Sequence, residues 1–355
     1  MPENNTVIDP DVATLLDALG TAIFVLGPDR EIVDLNQAGA QSFDGAEIGQ
    51  DFVRVVRNPD CLAAIDQVYG GEAQARTEFT HSLQPLTFFR VTVCRLKDQD
   101  NAARVAICLE DVSQIRDAEK IRSEFVANVS HELRSPLTSL AGFVETLKGP
   151  ARNDAAAQTR FLNFMENEAQ RMTRLIGDLL SLSKVQDRAR IRPDGRVDMH
   201  AVVQQVLETL NVEAQKERKK LHVSPSPNIR PIQGDEDELT QVIRNLIENA
   251  IKYGAADTDI VISLDKVERV RGIAGPALAV SVEDQGPGIP AEEIPRLTER
   301  FYRVDKSRSR DKGGTGLGLA IVKHILNRHR GRLLIESQEG QGSKFTVYLP
   351  TSLAP

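Results

Sequence analysis

Two long helical runs lie end to end in the middle of this chain, and neither carries enough apolar surface to stand alone. From about Asp117 the apolar residues take a helical spacing that holds to Lys148. The stretch Gly149 to Asp154, "GPARND", breaks it. A second run continues to about Val185, with Phe161, Met165, Met172, Leu175, Leu179 and Leu182 three and four apart. Two helices joined by so short a break read as an antiparallel hairpin. Each stripe is narrow and the hairpin is thin. A second copy would complete a four-helix bundle, so a homodimer is expected, with a monomeric hairpin packed on its flanking domains as the alternative.

The first run contains "FVANVSHELRSPLTSL", Phe125 to Leu140. On a helical wheel Phe125, Val129, Leu133, Leu137, Leu140, Val144 and Leu147 span an arc of roughly 120°. His131 lies roughly 180° from the middle of that arc, and Ser135 about 40° from His131 on the same wet face. A core histidine would sit on the stripe; this one is held out toward solvent or a partner. Pro136 removes an N–H, so the carbonyl of Glu132 loses its intrahelical partner and a bend is expected one turn past the histidine.

Composition narrows the field. The chain has 355 residues, enough for two or three domains, with ordinary globular fractions of apolar (41%) and charged (27%) residues. A net charge of -7 disfavours general nucleic-acid binding. No apolar run reaches membrane-spanning length, and the N-terminus lacks the pattern of a secretory signal. Cys61, Cys94 and Cys108 have neither metal-site nor disulfide-framework spacing and read as small hydrophobes in a reducing cytosol.

Residues 11–112 mix short helices and strands. "TAIFVLG" and the run after the Gly-Pro-Asp turn read as strands. "LTFFRVTVCRL" and "ARVAICLEDV" read as an antiparallel pair joined by "KDQDN". This is an α+β domain whose sheet could cover a small pocket. Beyond "RPDGR", "MHAVVQQVLETLNVEAQKERKKL", "DELTQVIRNLIENAIKYG" and "GLGLAIVKHILNRH" read as helices. "DIVISLDKV", "ALAVSVED", "GRLLIES" and "SKFTVYLP" read as strands, giving a second α+β sandwich with helices on one face of a mostly antiparallel sheet.

Three stretches of this last part suggest chemistry. Asn245 and Asn249 are four apart, so they share a helix face, with Lys252 on the next turn. Amide oxygens suit a hard cation and an ammonium suits phosphate oxygens, although solvent-facing Asn pairs are common. In "SVEDQGPGIP", Asp284 ends a strand, and Gly286 and Gly288 let backbone approach a flat ligand; a plain tight turn would look similar. A buried carboxylate there could accept a hydrogen bond from an exocyclic amine. In "KGGTGLGLAIV", Gly313, Gly314, Gly316 and Gly318 open a helix whose N-terminus favours anions. It is neither a P-loop nor a dinucleotide fingerprint. The charged "KSRSRDK" before it reads as a mobile lid. The order and context of these parts are far more specific than any one of them.

These stretches resemble the ATP-binding domain of sensor histidine kinases, and "SHELRSPLTSL" resembles their phosphoacceptor box. The likeness is strong over roughly 115–350 and is especially close to the phosphate-regulon branch of the family; 11–112 resemble a PAS sensory domain more weakly. The resemblance implies three parts. These are a PAS-like sensor domain at 11–112, a hairpin at 113–190 forming a dimeric four-helix bundle, and at 195–352 an α/β sandwich of the gyrase, Hsp90 and histidine kinase type. It implies ATP and Mg2+ as cofactors, autophosphorylation on His131, and transfer to an aspartate of a response regulator receiver domain. Glu132 is then the group that orients the imidazole and takes its proton. Asn249 ligates Mg2+, Asn245 and Lys252 steady phosphates, and Tyr253 lines the nucleotide site. Asp284 reads the adenine amine, and Gly286 and Gly288 shape that pocket. Gly314, Gly316 and Gly318 cradle phosphate, with Arg303 and Arg308 reaching it from the lid. Ser135, where relatives more often have Thr or Asn, is expected to orient water for dephosphorylating the regulator.

Gln285 stands where relatives usually have Asn, yet Asp284 and both glycines remain. Members of that branch begin with transmembrane helices; the initiating Met here makes a soluble cytoplasmic relative the expectation, with a truncated membrane sensor as the alternative. Among rivals, an ATP hydrolase of the same superfamily would place a Glu base where Asn245 stands. A non-catalytic ATP sensor would be indifferent to His131. A zinc-protease reading of "HELRS" fails because Ser135 occupies the second ligand position. In the first domain, Asn58 and Cys61 are too far apart for the flavin-binding pattern, and His81 reads as a surface histidine rather than a haem ligand. An upstream signalling protein acting through this domain, with strain passing down Asp117 to Val129, is the expectation.

Overall fold

The computed structural model describes residues 10–81, 86–96, 104–188, 191–225, 229–304 and 314–351. The chain divides into two compact units, Met1–Ala127 and Asn128–Pro355.

In the first unit, α1 (Pro10–Ala18) precedes β1 (Ala22–Leu26) and β2 (Ile32–Leu35). Helices α2 (Gln37–Ser42), α3 (Phe52–Val55) and α4 (Pro59–Tyr69) lead to β3 (Gln74–His81), β4 (Thr87–Leu96) and β5 (Arg104–Asp111). The sheet order is β2-β1-β5-β4-β3, antiparallel throughout. The expected pairing of "LTFFRVTVCRL" with "ARVAICLEDV" is present, for example Val91 opposite Leu109; the "KDQDN" turn lies outside the described residues. Alternation puts Phe24, Val91, Val93, Ile107 and Leu109 in one core with Phe52 and Ile65. Asn36 is buried and fully used: its Oδ1 accepts from the N–H of Ile23 and Gly39, and its Nδ2 donates to the carbonyls of Thr21 and Leu16. Asn58 caps α4, with Pro59 at the first turn, and Cys61 packs in the core. Burial pushes the Cys61 thiol up to about 12. Both residues are thus occupied by folding. His81 is not the surface residue expected: its ring packs among Phe43, Phe79 and Phe89, 5.5 Å from Phe43.

Helix α5 (Ser113–Lys148) starts earlier than the apolar spacing indicates. Asp111 Oδ1 accepts from the Ser113 N–H, and Ser113 Oγ accepts from the Phe88 N–H, which ties its first turn to the sheet. Arg116 extends this root, donating to Glu78 at 2.5 Å while lying over the Phe88 ring. The helix runs unbroken through Pro136. Asp154 caps α6 (Ala155–Asp187), and the Gly149–Asp154 break is the turn of the hairpin.

The rest of the second unit holds β6 (Arg196–Val197), α7 (Met199–Lys216), β7 (Lys220–Val223), β8 (Ile232–Gln233), α8 (Glu236–Tyr253), β9 (Asp259–Val267) and β10 (Ala277–Asp284). After a short 3-10 turn come α9 (Gly318–Arg328), β11 (Arg332–Gln338) and β12 (Gly342–Pro350). The main sheet runs β11-β12-β10-β9-β7, with only the β7–β9 pair parallel. One helix is shorter than its sequence pattern suggests: α7 stops at Lys216, not at Leu221. Arg218 takes a left-handed conformation at φ 57, and the chain turns into β7. The buried Lys219 ammonium donates to the Ile251 carbonyl, which holds that turn under α8.

His329 is buried at the end of α9. Its Nε2 accepts from the Asp235 N–H at the cap of α8, and its Nδ1 faces the Ile325 carbonyl at 2.8 Å. Both contacts fit a neutral ring. Burial holds its pKa below the ordinary 6.5; the Ile325 bond, Glu238 and Asp235 oppose this, and Arg328 adds to it. A histidine depressed in the fold binds its proton more readily when unfolded, so its stabilising contribution is present above about pH 6.5 and is lost as pH falls. The urea midpoint of the wild type should therefore fall toward that of His329→Gln as pH drops from about 7.5 to about 5.5. A constant gap would contradict this.

Candidate nucleotide and phosphoacceptor site

Helix α8 is two-faced. Leu239, Val242, Ile243, Leu246, Ile247, Ala250 and Ile251 are buried against the sheet and neighbouring helices. The opposite stripe, with Gln241, Asn245, Asn249 and Lys252, lines a cavity of about 1360 Å³. Asp284, Gly286 and Gly288 line the same cavity, as do Tyr253, Arg303, Gly314, Gly316 and Gly318. Of the twelve nucleotide-site residues that the resemblance implies, eleven converge on one space, and Arg308 lies outside the described residues with Gly313 and the expected lid.

Asp284 is 5% exposed at the end of β10, and its Oδ1 accepts from the Gly286 N–H at 2.8 Å. A Cβ on Gly286 would stand 2.7 Å from that oxygen and 2.7 Å from the Tyr253 carbonyl, so only glycine allows this turn. Burial raises the Asp284 carboxyl, opposed by the Gly286 N–H and by Lys219. A buried carboxylate with one oxygen already bonded presents its remaining capacity to a donor in the cavity. Burial likewise raises the Tyr253 phenol, against the opposing charge of Arg303.

Asn245 Nδ2 donates to the Gly318 carbonyl at 3.2 Å, so this side chain fastens α8 to the first turn of α9 at the rim of the cavity. Lys252 pairs with Glu248 at 3.2 Å. Asn249 makes no side-chain hydrogen bond among the described residues, and its amide lines the cavity. Gly316 sits at φ 72, and its carbonyl accepts from the Phe301 N–H at 2.8 Å.

The stretch that resembles a phosphoacceptor box lies on α5. His131 and Ser135 are exposed, as the wheel requires. Glu132 does not turn to its neighbour's ring. Consecutive helical residues point about 100° apart, and its carboxylate meets Arg171 of α6 at 2.8 Å. Arg303 stands 3.9 Å from the same oxygen. Sequence reasoning misses Arg171, Arg174, Asp178 and Thr315. Thr315 Oγ1 donates to Asp178 on α6 at 2.7 Å, and Ser181 donates to Gln241 on α8, also at 2.7 Å. The only sequence signal for Arg174 and Asp178 is their shared face four residues apart, opposite no obvious partner.

Residues 121–188 match the profile of the His Kinase A (phospho-acceptor) domain. Residues 234–353 match that of the histidine kinase-, DNA gyrase B- and HSP90-like ATPases. The chain belongs to the sensor histidine kinases. Among its relatives, the phosphate regulon sensor protein PhoR of Pseudomonas aeruginosa is 39% identical over 241 residues, covering 68% of this chain and 52% of that one. The sensor protein kinase WalK of Staphylococcus saprophyticus is 38% identical over 242 residues, covering 68% and 38%. The chain thus spans about half or less of the length of these kinases. The histidine kinase ThkA, solved in complex with the response regulator protein TrrA, shares the fold with a TM-score of 0.52. That match has 20% identity and covers 96% of this chain and 98% of that one. Among the described residues no helix is long and apolar enough to cross a membrane.

Two outcomes follow from the geometry. Gly316→Ala forces a side chain into a left-handed position with its Cβ 2.9 Å from Phe301 backbone; strain of about 1–3 kcal/mol is expected. Nucleotide binding, read by a fluorescent analogue, should weaken sharply. Arg171→Ala leaves the half-buried Glu132 carboxylate without its 2.8 Å partner, and a loss of about 1–3 kcal/mol is expected by urea unfolding; a loss within experimental error would refute the pair's structural weight.

Proposed function

We propose that this kinase autophosphorylates on His131 from Mg-ATP held in the cavity of about 1360 Å³ and passes the phosphoryl group to an aspartate of a response regulator receiver domain. The observation that carries the reading is the junction at Glu132. The residue next to an exposed histidine shares its carboxylate environment with Arg303, a cavity residue, at 3.9 Å. The acceptor helix therefore stands beside the wall of the nucleotide cavity.

In this reading the neutral His131 imidazole attacks the γ-phosphorus. An N–P bond forms, the bond to the β-phosphate oxygen breaks, and ADP leaves. Glu132 takes the imidazole proton once its bond to Arg171 gives way. Asp284 accepts from the adenine amine, with Gly286 and Gly288 shaping the pocket and Tyr253 lining it. Asn245 and Lys252 steady the phosphates, and the N–H groups at Gly314, Gly316 and Gly318 cradle them. The unengaged Asn249 amide fits a hard divalent cation, which when bound neutralises phosphate charge. Arg303 reaches phosphate from the cavity edge, and Arg308 is assigned the same role.

The division into 11–112, 113–190 and 195–352 belongs to this proposal. Homodimerisation is supported by the stripes that the hairpin leaves open: Leu137, Leu162, Phe164, Ile176 and Leu180 are each between 46% and 60% exposed. That ThkA was solved together with the response regulator TrrA supports a receiver domain as partner. The PhoR likeness supports a phosphate-linked signal, Ser135 supports regulator phosphatase activity, and the first unit is assigned an upstream partner. ATP and a receiver domain as reactants support a cytoplasmic catalytic unit.

Incubated with Mg-ATP, the chain should retain an acid-labile, base-stable phosphate label. His131→Gln should abolish the label while nucleotide binding persists. A label that survives this substitution would overturn the assignment.

A further inference from the structure

The hairpin supplies part of the cavity wall. Arg174, Gly177 and Asp178 of α6 line it. Asp178 is held there by Thr315, which stands between two of the cradle glycines, and the Ser181–Gln241 bond one turn further on fastens α6 to α8. Arg174 is one helical turn before Asp178 and shares its face. Burial raises the Asp178 carboxyl and the Thr315 bond opposes this; Glu248 raises it further, while Lys252 and Arg174 lower it. Each of those charges is therefore within electrostatic range of Asp178 beside the glycine cluster.

The cations in this cavity are not equally available. Lys252 is paired with Glu248 at 3.2 Å, and Arg303 lies 3.9 Å from Glu132. The two other arginines that line it, Arg174 and Arg244, have no ion-pair partner among the described residues and are exposed; Arg174 is the one carried by the hairpin. Five carboxylates, Asp178, Asp237, Glu248, Asp284 and Glu339, already line the space. A triphosphate entering there needs a cation with uncommitted donors, and a guanidinium offers a planar fork that matches two phosphate oxygens. The terminal phosphate must also point toward the hairpin, because the hairpin carries His131.

We propose that Arg174 is a phosphate ligand contributed by the phosphoacceptor hairpin, reaching the terminal phosphate of the triphosphate in the cavity of its own chain. This rests on the reading of the cavity as an ATP site. Arg174 makes that site read the number of phosphates: a triphosphate engages α6, a diphosphate does not reach it. Nucleotide charge thereby becomes coupled to the docking of the hairpin, through a cation and a carboxylate on one helical face.

The test uses the full chain with His131→Gln, so that nothing turns over. Binding of a non-hydrolysable ATP analogue and of ADP is measured by calorimetry with and without Arg174→Gln. The analogue should lose about tenfold or more in affinity, the effect of one charge-assisted contact, while ADP changes less than about threefold. Arg174→Lys should recover part of the analogue's affinity without altering ADP. Equal losses for both nucleotides would show a merely structural role and overturn the proposal, as would no loss for either. A parent chain that binds neither nucleotide would instead remove the ATP-site reading, and this inference with it.

Discussion

The hairpin of α5 and α6 cannot bury its own apolar stripes, and the second unit is organised around that constraint. In α5 only Pro136 is buried. In α6 the buried residues are Arg171, Leu175, Leu182 and Val185, and this helix packs on α9. One side of the hairpin is thus covered by the nucleotide fold of the same chain. The other side, around Leu137, Leu162 and Leu180, faces outward. Apolar area of that extent drives association in water. The packing of α6 has a chemical consequence: it carries Arg174 and Asp178 into the cavity, beside glycines that open α9.

The charges in and beside the cavity have partners close to them in space. Asp284 is offset by Gly286 and Lys219, Lys252 by Glu248, Glu132 by Arg171. Each pair lowers the cost of holding charge away from bulk water. A phosphate-bearing ligand would enter this balance as the largest charge present. The Glu132–Arg171 bond is the contact that must yield if the carboxylate is to serve the neighbouring imidazole, so the described arrangement is a resting one for the proposed transfer.

Much of this is legible in the sequence because it is local. The period of α8 separates its buried face from the one carrying Asn245 and Asn249. Asp-x-Gly-x-Gly marks the end of β10 because the turn needs residues without Cβ atoms, and the wheel alone puts His131 on the wet side. What escapes is long-range. Thr315 and Asp178 are 137 positions apart, and Arg171 meets Glu132 across 39; no local pattern announces such pairs. The end of α7 is hidden because "KERKKL" has no apolar period to lose, while the break there depends on Lys219 bonding under α8. His81 and His329 look peripheral because a single histidine is the same in sequence whether it faces water, a cluster of phenylalanines or a helix cap.

The central claim is that one particular imidazole, on the helix beside this cavity, receives the phosphoryl group. Peptide mapping by mass spectrometry at neutral to basic pH, after brief incubation with Mg-ATP, locates that group directly. The phosphate should be found on the segment from Phe125 to Arg134, on His131. Phosphate on another histidine or on a carboxylate, with His131 unmodified, would contradict the account.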